Sequence, residues 1–191
     1  MFKQSLITAV IALVVLGTAG LASAVIHTGS GTYNYPPNTT GASEDVFAED
    51  TTKVNLLTGG SIGRDLITND NSTLTVSGGS IGHDVLAYND STVTVSGGSI
   101  GEYLVAFGNS TMTIIGSDFN FAYGDYFAGG PLAGQTLTGF LADGMAFDND
   151  VYIYSSATVT LAAPVATVPE PATAALVLLG AGGLMCRRRA A

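Results

Sequence analysis

The chain has 191 residues, with fifteen acidic and only six basic side chains and a formal net charge of −9. Lys3 and Arg187–Arg189 lie near the two ends, so the stretch from Val25 to Pro171 carries 2 − 15 = −13. A body this acidic excludes nucleic acid and anionic membrane as partners, and the single cysteine, Cys186, excludes a disulfide framework.

Residues 1–24, MFKQSLITAVIALVVLGTAGLASA, place one lysine ahead of a short apolar run and close on Ala22-Ser23-Ala24. A charged start, a short apolar core and an A-x-A stop predict a secretory signal helix. Ala22 and Ala24 mark the cleavage site, leaving Val25 as the mature start. The apolar run falls short of the ~20 residues that span a bilayer. Residues 25–50, with Pro36-Pro37 and mixed polar side chains, read as an N-terminal flank or cap whose pattern assigns nothing further.

Residues 51–120 hold the informative feature. GGSIGRDLITNDNSTLTVS (Gly59–Ser77), GGSIGHDVLAYNDSTVTVS (Gly78–Ser96) and GGSIGEYLVAFGNSTMTII (Gly97–Ile115) repeat at a period of 78 − 59 = 97 − 78 = 19 residues. Ile62, Ile81 and Ile100 fall in one column, and Leu66, Val85 and Leu104 in a second. Leu74, Val93 and Met112 form a third, and Val76, Val95 and Ile114 a fourth. In STVTVS apolar and polar residues alternate, the period of a strand with one buried face. Gly-Gly and Asn-Asp pairs punctuate each copy with turns. One copy cannot bury its own apolar face. Stacked copies can, because each column then sits on itself ~4.8 Å away. The pattern predicts an all-β fold, a short parallel β-solenoid (β-helix) of 19-residue turns. TTKVNLLTGG (Thr51–Gly60) reads as half of a worn earlier unit, and GSDFNF (Gly116–Phe121) as the start of one that drifts.

Residues 121–163 are richer in aromatics: Tyr123, Tyr126, Phe127, Phe140, Phe147, Tyr152 and Tyr154. They end in the strand pattern DVYIYSSATVTL. This region is expected to be a β-rich continuation and cap whose large side chains close the end of the solenoid.

Residues 164–191 change grammar. Val168-Pro169-Glu170-Pro171 interrupts any preceding structure, because proline fixes its own φ and restricts its predecessor. An apolar Gly-rich segment follows, and Arg187, Arg188 and Arg189 stop it as a cytoplasmic tail would. A short recognition motif, a hydrophobic sorting helix and a basic cluster suit a transpeptidase-type processing signal. This tail resembles the PEP-CTERM sorting domain of Gram-negative bacteria, which an exosortase recognises. The resemblance implies an exported protein, transiently anchored in the inner membrane through the C-terminal helix. An exosortase-type enzyme would then act at the 168–171 motif, and the product would pass to the cell surface or the extracellular polymer.

Several columns invite a chemical reading. GGSIGRDLI resembles the calcium-binding nonapeptide of RTX proteins, but its glycine spacing is one residue too long and its Asp column reads Asp65, Asp84, Tyr103. The cluster Asp143, Asp148 and Asp150 lacks EF-hand spacing. No metal or other cofactor is therefore expected. Asn71, Asp90 and Asn109 suit a stacked Asx turn. Thr73, Thr75, Thr92, Thr94, Thr111 and Thr113 put paired hydroxyls on one flat face in every copy, the best candidate for a ligand-facing ladder. Such ladders resemble those of ice-binding solenoids, although threonine is also simply a good exposed strand residue. Asp65 and Asp84 would be a carboxylate pair with mutually shifted pKa values, but no basic clamp or Ser/His/Asp set completes them. His83 shares a variable column with Arg64 and Glu102. No catalytic residue is assigned. The sequence thus reads as a non-catalytic exported surface or matrix protein. Its expected role is structural or adhesive, in contact with extracellular polysaccharide or cell-surface components of a biofilm layer. The rival reading is a β-helix lyase or hydrolase acting on carbohydrate.

Overall fold

A computed structural model describes residues 23–35, 40 and 44–165. The expected signal helix, Ala22, the 168–171 motif, the sorting helix and the 187–189 cluster lie outside the described residues. Within them every regular element is a strand, and no helix is long and apolar enough to cross a membrane.

Alternation sets the local form. In the strand Thr73–Ile81, Leu74 and Val76 are fully buried while Thr73 and Thr75 face outward. A short strand, Leu66–Thr68, precedes it and buries Leu66 and Thr68 on either side of the outward Ile67. One solenoid turn is this pair, joined by a tight turn and bent at the Gly-Gly corner. The same unit recurs along the chain. β1 (Ser23–His27) and β2 (Thr32–Tyr35) form the first turn. β3 (Glu44–Ala48), β4 (Lys53–Leu56) and β5 (Ser61–Ile62) form the next. β6 (Leu66–Thr68) with β7 (Thr73–Ile81), and β8 (Val85–Ala87) with β9 (Thr92–Ile100), follow. Then comes β10 (Tyr103–Ala106) with β11 (Thr111–Ser117).

The turns stack as two parallel sheets. Sheet A runs β1-β3-β6-β8-β10, and sheet B runs β2-β4-β7-β9-β11. The registers keep every apolar column on itself: Leu74 pairs with Val93 and Val93 with Met112, Leu66 with Val85 and Val85 with Leu104. The buried columns form one core cluster between the sheets. Each such burial is worth about 2 kcal/mol, available only once a neighbouring turn is in place.

β1, β2 and β3 also belong to this stack. Their pattern is hard to read because rings replace aliphatics: Tyr33 pairs with Val54 and Tyr35 with Leu56. His27 stacks on Tyr33 with ring centroids 3.7 Å apart and shares a hydrogen bond of 2.9 Å with the Tyr35 hydroxyl. Burial there pushes the His27 imidazole below its usual pKa. β1 extends back to Ser23, so cleavage after Ala24 would leave its Val25–His27 part.

The tight turn uses a different residue from the expected one. Positive φ falls on Asp50 (58°), Asp70 (54°), Asn89 (55°) and Ser155 (59°), and on Gly108 in the equivalent place, one position before the Asn71/Asp90/Asn109 column. The reason lies two residues further on. Ser72, Ser91 and Ser110 are buried inside the turn. Ser72 Oγ accepts the Asn69 N–H and Ser110 Oγ accepts the Phe107 N–H, each at 3.1 Å. The serine is therefore the capping acceptor, and the column before it is left to solvent. At the other corner glycine is required by space. A Cβ on Gly82 would collide with the carbonyl oxygen of Gly63, and one on Gly101 with that of Gly82.

After Ser117 the chain leaves the stack and returns. β12 (Gly124–Phe127) and β13 (Gln135–Leu141) precede β14 (Ala146–Ile153) and β15 (Thr158–Ala162). β14 and β15 are a displaced copy of the repeat: β14 adds in parallel to β10 and β15 to β11. β12 and β13 are the inserted part and run antiparallel to β15 and β14, closing both sheet edges. Asn149 Nδ2 donates to the carbonyls of Ile100 (3.0 Å) and Glu102 (2.8 Å), pinning β14 to the preceding turn. The plug is mostly aliphatic: Leu132, Leu137 and Leu141 are buried, joined by Phe147, with Phe119, Phe121 and Tyr126 packed against them in part. Tyr123, Phe127, Phe140 and Tyr154 remain exposed instead. Strand edges pair through backbone groups, so the antiparallel strands themselves close the sheet edges at this end.

Candidate functional site

Because the solenoid is built by alternation, each sheet has one inner and one outer face. The outer face of sheet B carries the threonine ladder. Thr73, Thr92 and Thr111 pair in one column, and Thr75, Thr94 and Thr113 in the other. Both columns run further than the repeat shows. Thr158 and Thr160 extend them past Thr111 and Thr113, while Lys53 and Asn55, then Thr32 and Asn34, extend them the other way. Asn55 Nδ2 donates to Asn34 Oδ1 at 2.8 Å, and Thr160 Oγ1 donates to Asp125 Oδ1 at 2.7 Å. The two columns are polar along their length, with Lys53 the one charged member and Asp125 bonded at their C-terminal end.

Sheet A presents another chemistry. One outward column is acidic: Asp45, Asp65 and Asp84 stack, followed by Tyr103 and Asp150. Each carboxylate accepts the backbone N–H of its counterpart one turn on. Asp65 N–H donates to Asp45 Oδ1 at 3.2 Å, Asp84 N–H to Asp65 Oδ1 at 3.2 Å, and Tyr103 N–H to Asp84 Oδ1 at 3.0 Å. Arg64 Nε lies 3.8 Å from Asp45 Oδ1 and 3.6 Å from Asp65 Oδ2. Partial burial raises the Asp84 pKa, with the Asp65 and Glu102 charges adding to it and the Tyr103 N–H opposing. The stacked carboxylates thus do meet, and their backbone bonds help hold the turns in register. Asp143 is engaged too: its Oδ2 accepts the Gly98 N–H at 2.7 Å and its Oδ1 the Met145 N–H at 2.9 Å. Among the described residues no group of His, Cys, Asp or Glu side chains is arranged to hold a metal ion.

Beside the acidic column runs an apolar one. Ile26, Phe47, Ile67, Leu86, Val105 and Tyr152 pair in sequence on the outer face. Two residues on, just past the end of each strand, the side chain becomes a ring towards the C-terminal end of the stack. The Phe107 N–H bonds to Ala87 O at 2.8 Å and the Tyr154 N–H to Ala106 O at 2.9 Å, which sets Tyr88, Phe107 and Tyr154 on successive turns. Their centroids are 6.1 Å (Tyr88–Phe107) and 5.9 Å (Phe107–Tyr154) apart. Tyr152 lies parallel to Tyr154 at 6.4 Å and meets Tyr103 edge-on at 5.6 Å. Tyr88 is 36 %, Phe107 44 % and Tyr154 47 % exposed, so these rings are presented rather than packed away. Two shallow depressions open along the strip. One of about 380 Å³ is bordered by Phe47, Tyr88 and Phe107, and one of about 390 Å³ by Tyr152, Tyr154 and Ala128.

The sequence reading does not single out Tyr88 or Phe107, and it places Tyr154 in the cap. The signal was available: Ala87-Tyr88, Ala106-Phe107 and Ile153-Tyr154 each put a ring directly after a buried residue.

Searches of curated proteins and of solved structures return no match. A protein-family comparison does: residues 167–189 match the PEP-CTERM protein-sorting motif, which spans Val168–Pro171 and the three arginines. The chain thus carries a PEP-CTERM sorting motif behind a β-solenoid body, and the motif implies an exported protein processed by an exosortase.

Proposed function

We propose that the processed protein is a non-catalytic structural or adhesive component of the extracellular polymer layer at the surface of a Gram-negative cell. The observation that carries this reading is the persistence of two chemically different outer faces, each in register from turn to turn and joined to a sorting signal. A rigid stack displays a repeated chemistry at a fixed spacing, which is what contact with a repetitive polymer requires. Its acidity keeps it soluble and directs it away from polyanions. The carboxylates nearest to an acid/base pair, Asp65 and Asp84, bond to backbone N–H groups of the next turn, a use that supports a structural role over hydrolysis.

The test is fractionation of an exosortase-bearing host into membrane, polymer and medium, with a turnover assay on the host's own extracellular polysaccharide. The wild-type protein is expected in the polymer fraction, and Glu170→Ala is expected to stall in the membrane. Turnover of the polysaccharide by the purified protein, or wild-type protein free in the medium without polymer, would sink the reading.

A further inference from the structure

The sheet A strip is more specific than a general sticky surface. Parallel sheets are normally covered on both faces, and contiguous exposed apolar area marks a site of contact. Here Tyr88, Phe107 and Tyr154 stand exposed at one ring per turn, with one depression beside Tyr88 and Phe107 and another beside Tyr152 and Tyr154. Successive rings are tilted by 50° and 47°, and their exposed surfaces recur at intervals comparable to the length of one pyranose unit. The C–H face of a sugar stacks on such rings, while its hydroxyls need hydrogen-bond acceptors at the edge. Glu49 and Asn89 line the depression and carry carboxylate and amide oxygens, while Asn69 Oδ1 accepts from Asn89 Nδ2 at 2.6 Å.

Charge decides between possible occupants. The body from Val25 to Pro171 carries 2 − 15 = −13, and the column beside the strip contains Asp45, Asp65, Asp84 and Asp150. A uronate or phosphate polymer would be repelled. A second copy docked face to face would set these aspartate rims against each other, and like charges across an interface are costly. An uncharged sugar chain meets neither objection.

We propose that Tyr88, Phe107 and Tyr154, with Tyr152, form a binding platform for an uncharged glycan chain lying along the solenoid axis. The proposal deepens the function given above, from which it takes only that the exported body meets polysaccharide.

The experiment is affinity electrophoresis of the exported, processed protein in gels containing neutral glucan, mannan or galactan, with polygalacturonate as the anionic probe. Sedimentation is measured in parallel. Retardation by at least one neutral polymer and none by polygalacturonate is expected. Phe107→Ala should weaken binding roughly tenfold. Phe107→Leu, which keeps apolar bulk and loses the ring face, should weaken it similarly, and Thr94→Val on sheet B should leave it unchanged. Circular dichroism verifies that each variant is folded. Binding to no neutral polymer, binding to polygalacturonate, or a dimer that Phe107→Ala dissolves would each overturn the proposal. If the platform fails while fractionation still places the protein in the polymer, only the site falls and the wider reading stands.

Discussion

Sheets A and B are made by the same rule and wear opposite outsides. Both alternate inward and outward residues, both stack in parallel, and their inner faces share one apolar core. Outside, sheet B repeats threonine where sheet A repeats isoleucine, leucine and valine and ends in rings. Alternation therefore dictates what goes in and leaves open what faces out. Threonine is a good exposed strand residue in its own right. An apolar column outside packs along its own sheet and still leaves apolar surface for contact from outside.

The largest expected effect comes from breaking the corner that joins the two faces. Gly101→Ala would drive a methyl group into the carbonyl of Gly82 and should cost about 3 kcal/mol or more, read as a collapse of the urea midpoint. A midpoint close to wild type would mean that the turns can separate without losing the stack.

A smaller effect separates the faces themselves. Leu86 sits half-buried between Ile67 and Val105, and Leu86→Thr should lose about 1 kcal/mol of cross-strand packing. Thr94→Val on sheet B should stay within about 0.5 kcal/mol of wild type. Equal midpoints for the two variants would show that the apolar column does nothing for the sheet and serves an outside partner alone.

The smallest effect lies on the acidic rim. The Asp84 pKa in the folded protein lies above its ordinary 3.8, so the native state holds the proton more readily than the unfolded chain. Stability contributed by the neutral form is present below pH 3.8 and is lost as pH rises through the folded value. Asp84→Asn keeps an Oδ1 acceptor for the Tyr103 N–H. It should melt slightly above wild type at pH 7, by no more than about 0.5 kcal/mol in stability. The difference should fade as the pH drops below 3.8. A gap that persists in acid would assign it to the hydrogen bond rather than to charge.

The inner columns were legible because three consecutive copies align residue for residue, and Thr-Leu-Thr-Val shows its alternation openly. Sheet A was harder. Val85-Leu86-Ala87 and Leu104-Val105-Ala106 are continuous apolar runs, in which a period of two cannot separate the inward Val85 from the outward Leu86. The ring column was hidden for the same reason. The first turn was obscured by His27, Tyr33 and Tyr35 standing where other turns place aliphatic side chains or Thr68, Ala87 and Ala106. The β14–β15 turn was obscured by the inserted residues 118–145, which break the period although Asp150-Val151-Tyr152-Ile153-Tyr154 repeats Asp84-Val85-Leu86-Ala87-Tyr88 in kind. The turn chemistry shifted by one position because a buried serine acceptor outranks the local preference of Asn71 or Asn109.

β15 ends at Ala162 and the sorting match begins at residue 167, with only residues 163–166 between them. Even fully extended, that connection reaches roughly 17 Å. The end of the stack that leads into the processing motif is the one closed by the antiparallel strands β12 and β13. The opposite end finishes in the parallel strands β1 and β2. The two ends are thus chemically unlike, and the sorting motif follows the sealed one.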